Sequence, residues 1–260
     1  MPEKDSLIEK ISQERTEKIY NNEVQSDFNS EISSKYAVVG KDLVKDYEIG
    51  DFIIRAVDNV SISIHNGEFI VIKGPSGAGK TTLLNLIGGL DSPSSGTIYS
   101  YGVKISDMEE ESLTSWRLLN TGFVFQNYNL ISTLTAEENI MFPMNLSGVN
   151  FKEQRSRAID LLKKMRLTER REHLPFQLSA GEQQRVAIAR ALANDPPMII
   201  ADEPTANLDK TTSQFIRDLF KELKNNIRTI IIASHDDYLI NLADKILSFD
   251  NGKILKQESS

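Results

Sequence analysis

The chain has 260 residues, 40% of them hydrophobic and 26% charged, so it carries enough apolar material for one large domain, and disorder is not the default. Cysteine is absent, which excludes disulfides and any cysteine-based metal site, and a net charge of -7 argues against broad nonspecific binding to nucleic acid. Apolar runs such as Ile230–Ala233 fall far short of the ~20 residues that a membrane-spanning helix needs, and Met1–Lys10 lacks the apolar core of a secretory signal, so a cytoplasmic setting is expected.

Residues 1 to about 35 are polar, with a thin apolar stripe at Leu7, Ile8, Ile11 and Ile19, and are expected to form a disordered or loosely helical leader. From Tyr36 onward, β-branched runs at Ala37–Asp46, Ile53–Val57 and Val60–Ile64, with turn signals at Gly50 and Gly67, predict antiparallel strands. Phe69–Lys73 is a compact apolar strand that leads through glycines into a helix over Lys80–Gly88, the opening of a strand, loop, helix unit. Residues 127 to 178 read mainly as helices with charged faces, such as Gln154–Arg166, and form a helical insert. Met198–Ala201 and Thr229–Ala233 are then buried-type strands separated by a helix over Thr211–Asn225, where a parallel α/β core resumes. No internal repeat is visible.

The segment Gly74-Pro75-Ser76-Gly77-Ala78-Gly79-Lys80-Thr81 fits the spacing G-x-x-x-x-G-K-[ST], and it stands between an apolar strand and a helix, the context this loop requires. Glycines let the backbone wrap phosphate oxygens, and the free N–H groups of the helix start add a positive dipole end. Lys80 is placed to reach the β- and γ-phosphates of a nucleotide, Thr81 to ligate Mg2+ through its hydroxyl, and Thr82 to donate to the α-phosphate. Further on, Asp202 and Glu203 end a buried strand, where a parallel sheet puts its ligand crevice. Asp202 is expected to hold Mg2+ through water and Glu203 to polarise an attacking water. The alternative is a carboxylate pair that merely caps the turn at Pro204.

The stretch Leu178-Ser-Ala-Gly-Glu-Gln-Gln-Arg-Val-Ala-Ile-Ala-Arg-Ala-Leu192 carries an S-x-x-E capping box at Ser179 and Glu182, so one account of it is a well-capped helix. A helix start with a glycine and a free hydroxyl is also a second anion site, here in a segment whose first residue, Leu178, lies 98 residues after Lys80. With these segments the sequence resembles the nucleotide-binding subunits of ATP-binding cassette (ABC) transporters. The resemblance covers about residues 38 to 255. It implies an α/β fold with a P-loop (RecA-like) core, an antiparallel β subdomain and a helical insert subdomain at about 127–178, within a domain spanning 36–257. It also implies that Ser179, Gly181 and Glu182 of one subunit press on the γ-phosphate held by the loop of another, so that two ATP molecules join a head-to-tail dimer.

The remaining family elements come in order along the chain. Gln126 sits where the family's Q-loop glutamine contacts Mg2+ and the attacking water, Asp209 where the D-loop crosses the dimer interface, His235 where a switch histidine meets the γ-phosphate, and Tyr47 where an aromatic stacks on adenine. Taken singly, Gln126 and His235 are equally well strand-end polar residues, Tyr47 a sheet aromatic and Asp209 a helix N-cap. Ala180, Glu182 and Ala206 depart from the commoner Gly, Gln, and Gly or Ser of the family, while Ser179 and Gly181 are retained.

Lys45-Asp-Tyr47, the loop Gly88 to Gly96 and Phe123-Val-Phe-Gln-Asn-Tyr-Asn-Leu are most similar to the MacB and LolD type of subunit. The resemblance implies ATP and Mg2+ as cofactors, a separate transmembrane permease and a second copy or paralogous ATPase subunit as partners, no nucleic acid, and a peripheral place on the cytoplasmic face of a membrane. The competing class is a soluble ABC-type ATPase acting on DNA or ribosomes. Against it stand the short spacing between Lys80 and Leu178, the single cassette and the acidic balance. A regulatory nucleotide sensor is a third reading, opposed by the presence of both Glu203 and His235.

Overall fold

The computed structural model describes residues 35–225 and 228–259; the leader expected over residues 1–35 lies, except for Lys35, outside them. The β-branched run from Tyr36 forms two long strands rather than several short ones. β1 (Tyr36–Ile49) and β2 (Phe52–His65) pair along their whole length as one antiparallel hairpin. Asn59, at φ 53°, marks the break that the sequence suggested between Val57 and Val60, but pairing continues past it. At the hairpin tip Ile49, Phe52, Ile53 and Ile54 are exposed. β4 (Ser95–Ser100) joins the other edge of β1, and the short β5 (Val103–Lys104) pairs with β4 to complete a four-stranded sheet.

The second sheet has six strands in the order β10-β9-β3-β8-β7-β6. Its centre is β3 (Phe69–Lys73), β8 (Thr229–Ala233) and β7 (Met198–Asp202), paired in parallel, with β6 (Thr121–Val124) on one side and β9 (Lys245–Asp250) on the other. β10 (Lys253–Ser259) closes the edge antiparallel to β9, past the boundary expected at residue 257.

The central strands read as unbroken apolar runs because both of their faces are covered. Phe69, Val71, Ile199, Ala201, Ile230 and Ile232 belong to one hydrophobic cluster, whereas Ile70, Ile72, Met198, Ile200, Ile231 and Ala233 belong to the other. This is the two-residue alternation of a pleated strand, used on both sides. On the second side lie the hairpin strands, α1 (Lys80–Ile87) through Leu83, Leu84 and Ile87, and α2 (Glu110–Asn120) through Leu113 and Trp116.

Among the described residues the first side carries five helices. These are α3 (Ala136–Leu146), α4 (Phe151–Lys164), α5 (Ala180–Ala191), α6 (Lys210–Asn225) and α7 (Asp237–Leu242). The helix expected at Gln154 starts three residues earlier because Asn150 caps it, its side chain accepting from the Glu153 N–H. The helices of the insert do not form a core of their own: Ile140 and Met144 of α3 and Ala158 and Leu162 of α4 share one cluster with the sheet residues and with Val186 of α5. Phe220 of α6, fully buried in that cluster, is its largest single apolar contribution from the helix. Phe220→Ala is expected to lower unfolding free energy by about 3–5 kcal/mol in urea titration. Phe176→Ser, at a side chain 77% exposed, is expected to stay within about 0.5 kcal/mol of the parent.

Candidate nucleotide site

The loop after β3 opens the site. Gly79, the N-cap of α1, sits at φ 99°, and a Cβ there would lie 2.0 Å from the Ala56 carbonyl oxygen, so only glycine lets the loop and β2 approach this closely. Lys80 is buried at the first position of α1, and its Nζ donates to the Gly74 carbonyl at 2.5 Å and to that of Pro75 at 2.9 Å. Gly74 and Pro75 thus hold the ammonium, while Ser76 to Thr82 form the wall of an open cleft of about 1200 Å³.

Other walls of the same cleft come from distant parts of the chain: Tyr47 from β1, Gln126 from the segment after β6, Asp202 and Glu203 from the end of β7, and His235 from the segment after β8. Thr81 Oγ1 donates to Asp202 Oδ2 at 2.5 Å, bridging the phosphate loop and β7. The hydroxyl and carboxylate suit Mg2+, a hard cation that takes one or two protein oxygens and completes its shell with water and substrate phosphates. Among the described residues no cluster of three or more His, Cys, Asp or Glu could hold a metal alone.

Glu203 stands at φ 46°, and its N–H donates to the Ala233 carbonyl at 2.8 Å, which fixes the turn leaving β7 against the end of β8. One carboxylate oxygen lies 3.5 Å from His235 Nε2. Burial pushes the Glu203 carboxyl above the ordinary glutamate range; the neighbouring His235 and Lys80 oppose that shift without cancelling it.

Tyr47 is held by its hydroxyl, which donates to Asp91 Oδ2 at 2.8 Å, while Lys45 donates to Asp91 Oδ1 at 2.5 Å and lies 5.1 Å from the Tyr47 ring centre. Burial, reinforced by the bond to Asp91, pushes the phenol up. The ring therefore stays a neutral aromatic wall.

Ser179, Gly181, Glu182 and Asp209 do not line this cleft. Ser179 caps α5 in a full capping box: its Oγ accepts from the Glu182 N–H at 3.3 Å, and Glu182 accepts from the Ser179 N–H at 2.8 Å. Glu182 also accepts from Arg170 at 2.9 Å, so both of its oxygens are engaged. Asp209 caps α6, accepting from the N–H groups of Thr211 and Thr212 and from the Thr212 hydroxyl at 2.6 Å.

Several lining or supporting residues escaped the sequence reading. Asp236 accepts from the Thr205 hydroxyl at 3.0 Å and from Arg217 at 2.8 Å while capping α7, and so braces the segment that carries His235. Its place just before a helix is the one signal that could have marked it. Arg190 of α5 donates to the carbonyls of Tyr128 at 2.8 Å and Asn129 at 2.5 Å, clamping the backbone just beyond Gln126. Burial pushes its guanidinium down to about 10. Asp91, 44 residues from Tyr47, gave no signal in the sequence.

A strand-loop-helix phosphate cradle, a carboxylate pair at the end of an adjacent parallel strand and a separate capped helix start with an exposed serine together define a P-loop ATPase of the cassette type. The family model described as ABC transporter matches residues 57–206. The chain belongs to the ABC transporter family and is one of its ATP-binding, ATP-hydrolysing cassettes.

It is 44% identical over 223 residues to the ABC transporter ATP-binding protein MJ0796 of Methanocaldococcus jannaschii, a match covering 84% of this chain and 95% of that one. It is 42% identical over 220 residues to the macrolide export ATP-binding/permease protein MacB of Hyphomonas neptunium, covering 85% of this chain but 34% of that longer protein. A solved dimeric structure of MJ0796 in a post-hydrolysis state, bound to ADP and Pi, superposes with a TM-score of 0.82 at 42% identity, covering 85% of this chain and 98% of that one.

The raised Glu203 carboxyl has a stability consequence whose sign is fixed. The folded chain holds this proton more tightly than the unfolded chain, so stability falls as pH rises from the ordinary value of 4.5 through the folded value. Glu203→Gln is expected to raise Tm at pH 8, and that gain is expected to fade as pH drops towards 4.5, in parallel melting series of the two proteins.

Proposed function

We propose that two copies of this chain close head to tail on two ATP molecules, hydrolyse them at the shared interface and transmit the cycle to a membrane permease. The observation that carries this reading is the division of the site. The phosphate loop, Asp202, Glu203 and His235 line one cleft, whereas Ser179 and Gly181 at the helix start do not line it, which supports their meeting a nucleotide held by another copy.

In this reading Ser76 to Thr82 cradle the phosphates with backbone N–H groups, and Lys80 exchanges the Gly74 and Pro75 carbonyls for phosphate oxygens. Tyr47 stacks on adenine, held edge-on by Asp91. Thr81 and Asp202 hold Mg2+, which would supply charge neutralisation at the phosphates, and Gln126 completes that polar wall. Glu203 accepts the proton of the attacking water, since its raised carboxyl is a better base than an exposed glutamate, and His235 orients that water and the γ-phosphate. Ser179 and Gly181 of the second copy close over the γ-phosphate with their helix start, and Asp209 lies on the segment that crosses between copies.

None of the helices among the described residues is long and apolar enough to cross a membrane, and the MacB relative carries an ATP-binding part and a permease in one protein. A permease of that broad kind, engaged through the segment from Gln126 to Pro143, is the proposed partner here, at the cytoplasmic face of a membrane. The acidic chain, with a net charge of -7, favours this over work on DNA or ribosomes.

Two inactive variants test the division of the site. Lys80→Ala removes the cradle's cation, and Ser179→Arg blocks the helix start. Each alone is expected to lose ATPase activity by at least about 100-fold. A mixture is expected to regain part of it, because a mixed pair has one site with an intact Lys80 facing an intact Ser179. Phosphate release no greater than the sum of the separate variants would remove the two-copy site. Glu203→Gln is expected to keep ATP affinity and lose turnover by about 100-fold or more.

A further inference from the structure

Gln184 lies two residues beyond the capping box of α5, with 1% of its surface exposed. Its Nε2 donates to the Pro204 carbonyl at 2.9 Å, one residue past Glu203. Its Oε1 is buried and has no hydrogen-bond partner among the described residues. A glutamine placed here only to fill space is a poor choice, since an orphaned buried acceptor carries a desolvation penalty that a leucine or methionine of similar volume would not incur. The amide is therefore kept for the bond it makes.

That bond is one of two ties between the same segments. At Gly181 a Cβ would stand 2.8 Å from both Oγ1 and Cγ2 of Thr212, so the start of α5 presses directly on the start of α6. Thr212 is in turn bonded to Asp209 through backbone and hydroxyl. The helix start carrying Ser179 is thus fastened at Gly181 to the cap of α6 and at Gln184 to the loop leaving Glu203.

We infer that Gln184 is a positioning residue that makes the Ser179 helix start and the Glu203 loop of one chain move as a unit. The inference rests on the two-copy reading above. In that arrangement Ser179 and Glu203 of a single chain serve different nucleotides, so a rigid link between them couples the two sites: closing Ser179 onto the partner's nucleotide also sets Glu203 at the chain's own. Gln184 touches neither nucleotide. Its action is geometric, through the Pro204 carbonyl.

Gln184→Met conserves volume and removes the donor. It is expected to lower kcat about tenfold with little change in KM for ATP, a split that general loosening of the fold would not produce. Gln184→Glu supplies a second readout. Protonated, the acid can donate to the Pro204 carbonyl; ionised, it cannot. Burial raises its pKa, so activity relative to the parent is expected to be near normal at the acid end and to fall as pH rises.

The decisive form uses the Lys80→Ala and Ser179→Arg mixture, with Gln184→Met added to one variant at a time. The one working site takes Ser179 from the first chain and Glu203 from the second, so a link that positions both slows turnover from either placement. Slowing from one placement only, or from neither, overturns the inference. A mixture that regains no activity before Gln184 is touched overturns instead the two-copy reading on which it stands. Should Gln184→Met not fold, the pH profile of Gln184→Glu decides, and a constant ratio to the parent across pH overturns the proposal.

Discussion

The phosphate loop, Glu203 and His235 all hang from one end of one sheet. β3, β8 and β7 are parallel and in register, with Ile72 opposite Ala233 and Ala233 opposite Asp202, so all three strands run out at the same level. Each of them leads straight into a piece of the site: β3 into the phosphate loop from Gly74, β8 into the turn at Ser234 and His235, and β7 into Glu203. Backbone bonds bind these exits together, Ser234 N–H to the Ile72 carbonyl and Glu203 N–H to the Ala233 carbonyl. The two apolar faces of those strands are what hold the register, because a slip of one residue would exchange the side chains of the two clusters. The chemistry is thereby set by the packing of apolar side chains.

The core strands and the phosphate loop were legible because their signals are local. Phe69–Lys73 and Thr229–Ala233 were readable as buried runs, and the spacing from Gly74 to Thr81 is a short pattern with a definite flanking context. What could not be read is what depends on pairing at a distance. Nothing around Leu90 announces that Asp91 will steady Tyr47, and nothing in α5 announces that Arg190 will clamp the carbonyls of Tyr128 and Asn129. The long hairpin was fragmented in the sequence view because Asn59, in a left-handed conformation, resembles a terminator although the ladder runs past it. The insert looked separate because its charged faces dominate its composition, while a few residues such as Ile140 and Leu162 were enough to merge it with the main core.

Two features that looked like alternatives in the sequence turn out to be compatible. Ser179 and Asp209 are helix caps, as the plainer reading had it, with their partners inside their own helices. A capping serine satisfies one of the free N–H groups at a helix start and leaves the dipole end open, so structural duty does not exclude contact with an anion from outside. Glu182 differs: its two oxygens are engaged by Ser179 and Arg170, and its negative charge is balanced where it stands.

The lysine lodged in its own loop has a further effect. With the ammonium anchored on two carbonyls of the turn, the cradle keeps its curvature before any anion arrives, and the conformational entropy of ordering it has already been settled during folding. Under the proposed function, capture of a phosphate is then an exchange of oxygen partners around a cation already fixed at the wall of an open cleft.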